Sequence, residues 1–203
     1  MAKEKLGVLC SGRGTDLQSI IDAVKSGQID ATIEIVLTDK PDAYALRRAE
    51  NEGIAAVCVN RKEYDGRQPF EEELVRRLDA AGVTLVILAG FMRILTPYFV
   101  RHYKGRIMNI HPALLPSFPG AHAHRDVLAY GVKVSGCTVH FVDEGTDSGP
   151  IILQAAVPVL DGDTEETLGA RVLEEEHKIY PRAVQLYCEG RLHVDGRHVT
   201  ILP

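Results

Sequence analysis

Short apolar runs punctuated by glycine set the rhythm of the first half of the chain. Leu6 to Cys10 is one such run, and Ser11-Gly12-Arg13-Gly14-Thr15-Asp16 follows it directly. Leu17, Ile20, Ile21 and Val24 then recur at i, i+3, i+4 and i+7, the stripe of an amphipathic helix that Gly27 closes. Strand, glycine loop and helix in that order make a βα turn suited to a phosphate. Thr32 to Leu37 reads as a second strand, Ala43 to Glu52 as a helix stopped by Gly53, and Ala55 to Val59 as a third strand. Pro69 suits the first turn of a helix whose Phe70, Leu74, Val75 and Leu78 face a core and which Gly82 ends. Val83 to Ala89 is almost continuously apolar, the pattern of a central parallel strand covered on both faces.

The second half keeps the alternation. Gly90 to Leu95 leaves the central strand, and Thr96-Pro97 opens a short helix to about Tyr103. Ile107-Met108-Asn109-Ile110-His111 predicts a fifth strand, stopped by Pro112, which has no N–H to give a ladder. A helix near His124 to Tyr130 precedes Val134 to Val142, where Cys137, Val139 and Phe141 alternate with Thr138 and His140. Asp143 to Gly149 reads as a polar loop and Ile151 to Val159 as a strand. Asp163 with Glu166 three residues on resembles a capping box for a long helix to about Cys188. Glu176 falls inside the apolar stripe of that helix, between Val172 and Tyr180, while Glu174 and Glu175 fall on a solvated face. Pro181 lies in the same stripe and predicts a kink. Leu192 to Val194 and His198 to Ile201, joined through Asp195-Gly196, read as a hairpin. The whole predicts an α/β fold: a doubly wound, mostly parallel sheet with a long C-terminal helix and a terminal hairpin.

Composition narrows the class. A chain of 203 residues fits one domain, 1–203, divided into a phosphate-binding half of about 1–104 and a catalytic half of about 105–203. With 45% apolar and 25% charged residues it is an ordinary soluble composition. A net charge of −5 argues against a broad nucleic-acid surface, so any anion must be held by local groups. Cys10, Cys58, Cys137 and Cys188 lack metal-like spacing and read as reduced thiols. No signal region opens the chain, and no apolar run approaches the roughly 20 residues of a membrane span. The expected location is the cytoplasm; monomer and homodimer both stay open.

The candidate chemistry gathers at strand ends. Gly12 and Gly14 permit a tight bend that brings helix N–H groups close to an anion, although Leu17 stands where a dinucleotide fingerprint has its third glycine. Asp16 in the first turn repels a phosphate unless its carboxylate points away. Asn109 and His111, two apart on a strand, project from one face. A carboxamide N–H beside an imidazole suits a developing oxyanion. Asp147, in the loop after a different strand, is placed either to orient His111 or to form the turn itself. Glu176 is either a functional carboxylate or a helix residue on a mis-phased face. Arg93 suits a ligand carboxylate or a helix end. His122 and His124 with Arg125 resemble a metal or anion cluster, but His-x-His without further ligands makes no metal site, and no metal is expected. Gly12 to Asp16, Met92 to Leu95 and Asn109 with His111 all follow expected strand carboxyl ends, where ligands bind in open α/β sheets.

Four motifs carry a resemblance: Ser11-Gly12-x-Gly14; Leu88-Ala89-Gly90-Phe91-Met92-Arg93-Ile94-Leu95; Asn109-Ile110-His111-Pro112-x-Leu114-Leu115-Pro116; and Asp147-x-Gly149-Pro150-Ile151-Ile152. Together and in this order, over about Leu6 to Leu192, they resemble the phosphoribosylglycinamide formyltransferases of the folate-dependent formyltransferase superfamily. The resemblance implies a Rossmann-like fold and transfer of the formyl group of 10-formyltetrahydrofolate to the amine of glycinamide ribonucleotide in purine biosynthesis, through a tetrahedral intermediate. It implies that His111 is the general acid/base, Asn109 the oxyanion stabiliser and Asp147 the carboxylate that tunes the histidine. Gly12, Gly14, Thr15 and Asp16 would hold the ribonucleotide phosphate, and Glu176 its amine. Arg67, Met92, Arg93, Ile94 and Leu95, with Asp143, Glu144, Gly145 and Thr146, would line the folate site. Two positions depart from the pattern: Asp16 stands where many members have Asn, and Leu173 where a polar residue often helps bind the ribonucleotide.

Related enzymes and a non-enzyme are the rivals. A 10-formyltetrahydrofolate hydrolase resembles the catalytic half but adds an N-terminal regulatory domain, for which a first strand at Leu6 leaves no room. Methionyl-tRNA formyltransferase shares the core and extends into an RNA-binding domain. A non-catalytic folate or nucleotide binder would have no need of Asn109, His111 and Asp147 together.

Overall fold

The structure, a computed structural model, describes residues 3–203. Met1 and Ala2, where the stretch without a signal region begins, lie outside the described residues. The strands β1 (Glu4–Cys10), β2 (Ala31–Thr38), β3 (Ala56–Cys58), β4 (Leu85–Leu88), β5 (Ile107–His111), β6 (Val134–Phe141) and β7 (Ile151–Pro158) form one sheet in the order β3-β2-β1-β4-β5-β6-β7. The helices are α1 (Thr15–Lys25), α2 (Tyr44–Asn51), α3 (Arg67–Ala80), α4 (Pro97–His102), α5 (Ala123–Tyr130) and α6 (Glu165–Cys188). A separate hairpin of β8 (Leu192–Asp195) and β9 (His198–Ile201) follows. The chain divides into two compact units, Met1–Met108 and Asn109–Pro203, with the division inside β5.

In the first unit β1 is central. It pairs in parallel with β2 on one side and β4 on the other, and β2 pairs in parallel with β3. Leu6, Val8, Leu9 and Cys10 are fully buried, as are Leu85, Val86 and Ile87 of β4, which is why these runs are apolar without alternation. Gly7 is required by close packing, since a Cβ there would lie 2.5 Å from Leu78 of α3. Thr96 occupies the cap position of α4, but its hydroxyl does not cap the helix. The buried carboxylate of Glu71 accepts both the Thr96 N–H, at 2.8 Å, and the Thr96 hydroxyl, so the polar groups of two helices satisfy one another.

In the second unit β6 and β7 pair antiparallel, and α6 packs on both. Gly136 lets these strands meet, because a Cβ there would fall 1.9 Å from the Ala155 carbonyl oxygen. The buried Thr138 hydroxyl donates to the Ala113 carbonyl at 2.7 Å and accepts from the Leu115 N–H at 3.0 Å. The segment after β5 is thereby tied to β6.

Two details fall one residue later than the sequence predicts. The capping box belongs to Thr164 and Thr167, whose side chains accept from each other's backbone N–H. Asp163 is drawn away by Arg171, whose guanidinium donates to it at 2.8 and 3.0 Å. In the terminal hairpin Asp195 pairs with His198, so the turn is Gly196-Arg197 rather than Asp195-Gly196. Gly196, at φ 57°, takes the first central position, where a tight hairpin favours glycine. Helix α6 runs continuously across Pro181. The buried stripe of Val172, Tyr180, Ala183 and Val184 secures the turns on either side of the missing N–H.

Candidate active site

The second unit gathers a histidine, a carboxylate, an amide and a second histidine. His111, at the end of β5, is 4% exposed and presents Nδ1 to the Asp147 carboxylate at 3.4 Å. Its Nε2 lies 2.8 Å from the Phe118 carbonyl oxygen. A carbonyl only accepts, so Nε2 carries a proton and donates it. Asp147 is fixed from two directions. The Gly120 N–H donates to Oδ2 at 2.7 Å, and the backbone of Asp147 itself adopts φ 50°. Its loop is shaped by Asp143, which accepts from the Gly145 N–H at 3.0 Å and the Ser148 hydroxyl at 2.6 Å. Gly149 closes the loop onto β6, where a Cβ would lie 1.8 Å from the Phe141 carbonyl oxygen.

Asn109 sits two residues before His111 and directs Nδ2 to His140 Nε2 at 3.2 Å. His140 Nε2 is 4.0 Å from Asp147 Oδ1. Asn109 and His111 of β5 are therefore joined in one polar cluster with Asp147, which is distant in sequence. His140 belongs to it too, and sequence reasoning passed over it. Its signal was the alternation of β6, which puts Thr138 and His140 on the face opposite Cys137, Val139 and Phe141. Burial lowers the pKa of His140, with the Phe141 carbonyl and Asp147 acting in the opposite direction. Glu176 is 7% exposed, so it does lie on the buried face of α6. Its neighbour Glu174 is exposed, and Glu175 pairs with Lys178 at 2.7 Å.

In the first unit the glycine turn is seated against the start of α2. Gly14, the α1 cap, has φ 68°, and a Cβ there would stand 2.8 Å from the Ala45 Cβ. The Ala45 N–H donates to the Gly12 carbonyl at 3.1 Å, and Arg48 Nε to the Arg13 carbonyl at 2.8 Å. Thr15 is half-buried, whereas Asp16 is 9% exposed. Burial pushes the Asp16 carboxyl up to about 6.

The loop after β4 is tied to this turn, because the Met92 N–H donates to the Ser11 hydroxyl at 2.9 Å. Met92 and Ile94 are 63% and 58% exposed, while Leu95 is 8% exposed. Arg93 has a partner that sequence reasoning missed: its Nε is 2.5 Å from Oδ2 of the buried Asp39, at the end of β2. Arg67 is exposed at the first residue of α3. Arg125 pairs with Asp126, and His124 is half-buried with its pKa lowered by burial. Among the described residues no group of three or more His, Cys, Asp or Glu is arranged to hold a metal ion.

A mostly parallel sheet ordered 3-2-1-4 in its first unit, with an Asn-His-Asp cluster at the end of β5, has the form of an α/β enzyme whose polar groups gather at a strand's carboxyl end. Residues 4–184 match the formyl transferase family. The chain is 48% identical to phosphoribosylglycinamide formyltransferase of Escherichia coli strain K12, over 91% of this chain and 87% of that protein. The crystal structure of glycinamide ribonucleotide transformylase 1 from Symbiobacterium toebii superposes with a TM-score of 0.98 at 51% identity, covering 99% of this chain and 95% of that one. A formyltetrahydrofolate deformylase from Pseudomonas syringae pv. tomato has a TM-score of 0.91 at 28% identity, covering 100% of this chain and 67% of that one. The chain belongs to the phosphoribosylglycinamide formyltransferase family, enzymes of purine biosynthesis that use 10-formyltetrahydrofolate as co-substrate.

Proposed function

We propose that formyl transfer to glycinamide ribonucleotide in this chain is carried by His111, Asn109 and Asp147. The observation behind this reading is the 3.4 Å approach of His111 Nδ1 to Asp147, with Asn109 two residues away on the same strand. Attack of the neutral amine on the formyl carbon puts negative charge on the formyl oxygen. Hydrogen-bond donors aimed at that oxygen stabilise the charge, and Asn109 Nδ2 and, once Nε2 turns from the Phe118 carbonyl, the His111 imidazole are such donors. One proton must leave the amine and one must reach the departing folate nitrogen. His111 is the group that carries it, and Asp147 holds the ring and favours the imidazolium that forms.

In the first unit, the turn at Gly12, Gly14 and Thr15 would receive the ribonucleotide phosphate on backbone N–H groups. Glu176 would receive its amine. For the folate, the exposed Met92 and Ile94 offer apolar surface to a flat ring, and the Asp143 to Thr146 loop offers polar edges. Arg67 is an exposed cation suited to its carboxylates, and Arg93, its Nε held by Asp39, belongs to this site on the resemblance. Four free cysteines agree with a reducing, cytoplasmic setting.

The deformylase likeness supports a second reading, in which water replaces the amine. Following loss of the formyl group from 10-formyltetrahydrofolate with and without glycinamide ribonucleotide separates the two. Transfer that requires the ribonucleotide is the expected result, and turnover without it would sink the transferase assignment of the three residues.

A further inference from the structure

We propose that His140 is a positioning residue for this reaction, holding the Asn109 carboxamide in the one orientation that leaves an N–H for the developing oxyanion. The proposal rests on the formyl-transfer reading of Asn109 given above. An Asn side chain has two nearly isosteric orientations related by a half-turn, one presenting NH2 and the other C=O to the same neighbour. A carbonyl oxygen facing the reacting group would repel the charge the site must stabilise. Some neighbour has to distinguish the two orientations.

His140 does so through its tautomer. Its Nδ1 is 2.9 Å from the Phe141 carbonyl oxygen, which can only accept, so the single proton of the neutral ring sits on Nδ1. Nε2 is then a bare acceptor, and the group facing it at 3.2 Å is Asn109 Nδ2. One amide hydrogen is spent on His140 and the second remains. In the opposite orientation Asn109 Oδ1 would meet the Nε2 lone pair, and both acceptors would be unsatisfied at a buried site.

The ring cannot easily turn to relieve this. Its side chain is 3% exposed, and the β6/β7 register shifts between Val139 and His140. Burial favours the neutral ring. The titratable groups near it are Asp147, with Oδ1 at 4.0 Å, His111 and Asp143. A histidine that merely filled the core would make no such demand on its tautomer or on Asn109.

Two measurements on the full chain test this. Long-range proton–nitrogen correlation NMR of histidine-labelled protein near neutral pH should find His140 with its proton on Nδ1 and an unprotonated, hydrogen-bonded Nε2. A proton on Nε2 would overturn the proposal, whether or not any variant folds. In steady-state kinetics, His140→Leu removes the acceptor, while His140→Gln keeps a carbonyl oxygen near the place of Nε2. The Leu variant should lose about 10- to 100-fold in kcat, less than the 10²–10³ of deleting an oxyanion donor outright, with both KM values within about threefold. The Gln variant should recover most of that loss, and Asn109→Ala in the Leu background should cost less than it does in the parent. Full kcat in the Leu variant, or equal losses in Leu and Gln, overturns the role of His140 alone. A parent that transfers no formyl group to the ribonucleotide overturns the reading of Asn109 instead.

Discussion

The Phe118 carbonyl oxygen stands 2.8 Å from His111 Nε2, while Asp147 takes the other ring nitrogen. Both edges of the imidazole therefore face acceptors. Phe118 reaches this position at φ 54°, a conformation that costs a residue with a side chain roughly 1 kcal/mol or more. For His111 to move a proton, Nε2 would have to exchange the Phe118 carbonyl for the reacting group. His111→Ala should lower kcat by about 10²–10⁴, the usual range for general acid–base catalysis. Asp147→Asn keeps an acceptor for the Gly120 N–H and deletes the charge, so kcat should fall while KM for the folate changes little. A His111→Ala rate within a few-fold of the parent would remove the ring from the mechanism.

Glu176 lies on the buried face of α6 and carries a carboxylate in the stripe that otherwise packs the core. If it receives the amine, Glu176→Gln should raise KM for the ribonucleotide more than KM for the folate. Parallel loss on both substrates, with a lower melting temperature, would assign Glu176 to helix packing.

Gly14 meets two constraints at once, a φ of 68° and a neighbouring Ala45 Cβ only 2.8 Å from where its own Cβ would be. Gly14→Ala should therefore destabilise the protein by about 1–3 kcal/mol in urea unfolding. It should also raise KM for the ribonucleotide above that for the folate. Unchanged stability would mean that the turn rearranges around the added methyl group.

Asp16 makes the stability of the chain pH-dependent. Its carboxyl is pushed up to about 6 by burial, against 3.8 for the free group, so the folded chain binds that proton more tightly than the unfolded chain. The stability this confers is full below about pH 4 and is lost as pH rises through about 6. Asp16→Asn should leave stability nearly unchanged near pH 4 and raise it by about 1–3 kcal/mol above pH 7. A gain of the same size at both pH values would trace the effect to packing of the amide.

The elements were legible because burial on both faces leaves runs such as Val83 to Ala89 without polar interruption. Asn109 and His111 were legible because a strand's period of two puts them on one face. What stayed hidden depends on contacts between segments distant in sequence. His140 looked like one polar position in an alternating strand until the fold brought it to Asn109. Arg93 was open to several partners, and only the end of β2 supplied Asp39. Asp163 was a reasonable cap by spacing, but Arg171, eight residues on, competes for the same carboxylate and moves the box to Thr164. Long-range partners of this kind leave no periodic trace.

The placement of β1 also governs the order in which the chain can assemble. β2 is available to it after a short connection, but its other neighbour, β4, pairs Leu85 with Leu6 across almost eighty residues. During synthesis the second edge of β1 stays open until that far segment emerges, and closing so long a loop is slow relative to local pairing. The interval exposes Leu6, Val8 and Leu9 on an unpaired strand. Nascent chains halted before Leu85 should then depend on chaperones more than chains halted after Leu88.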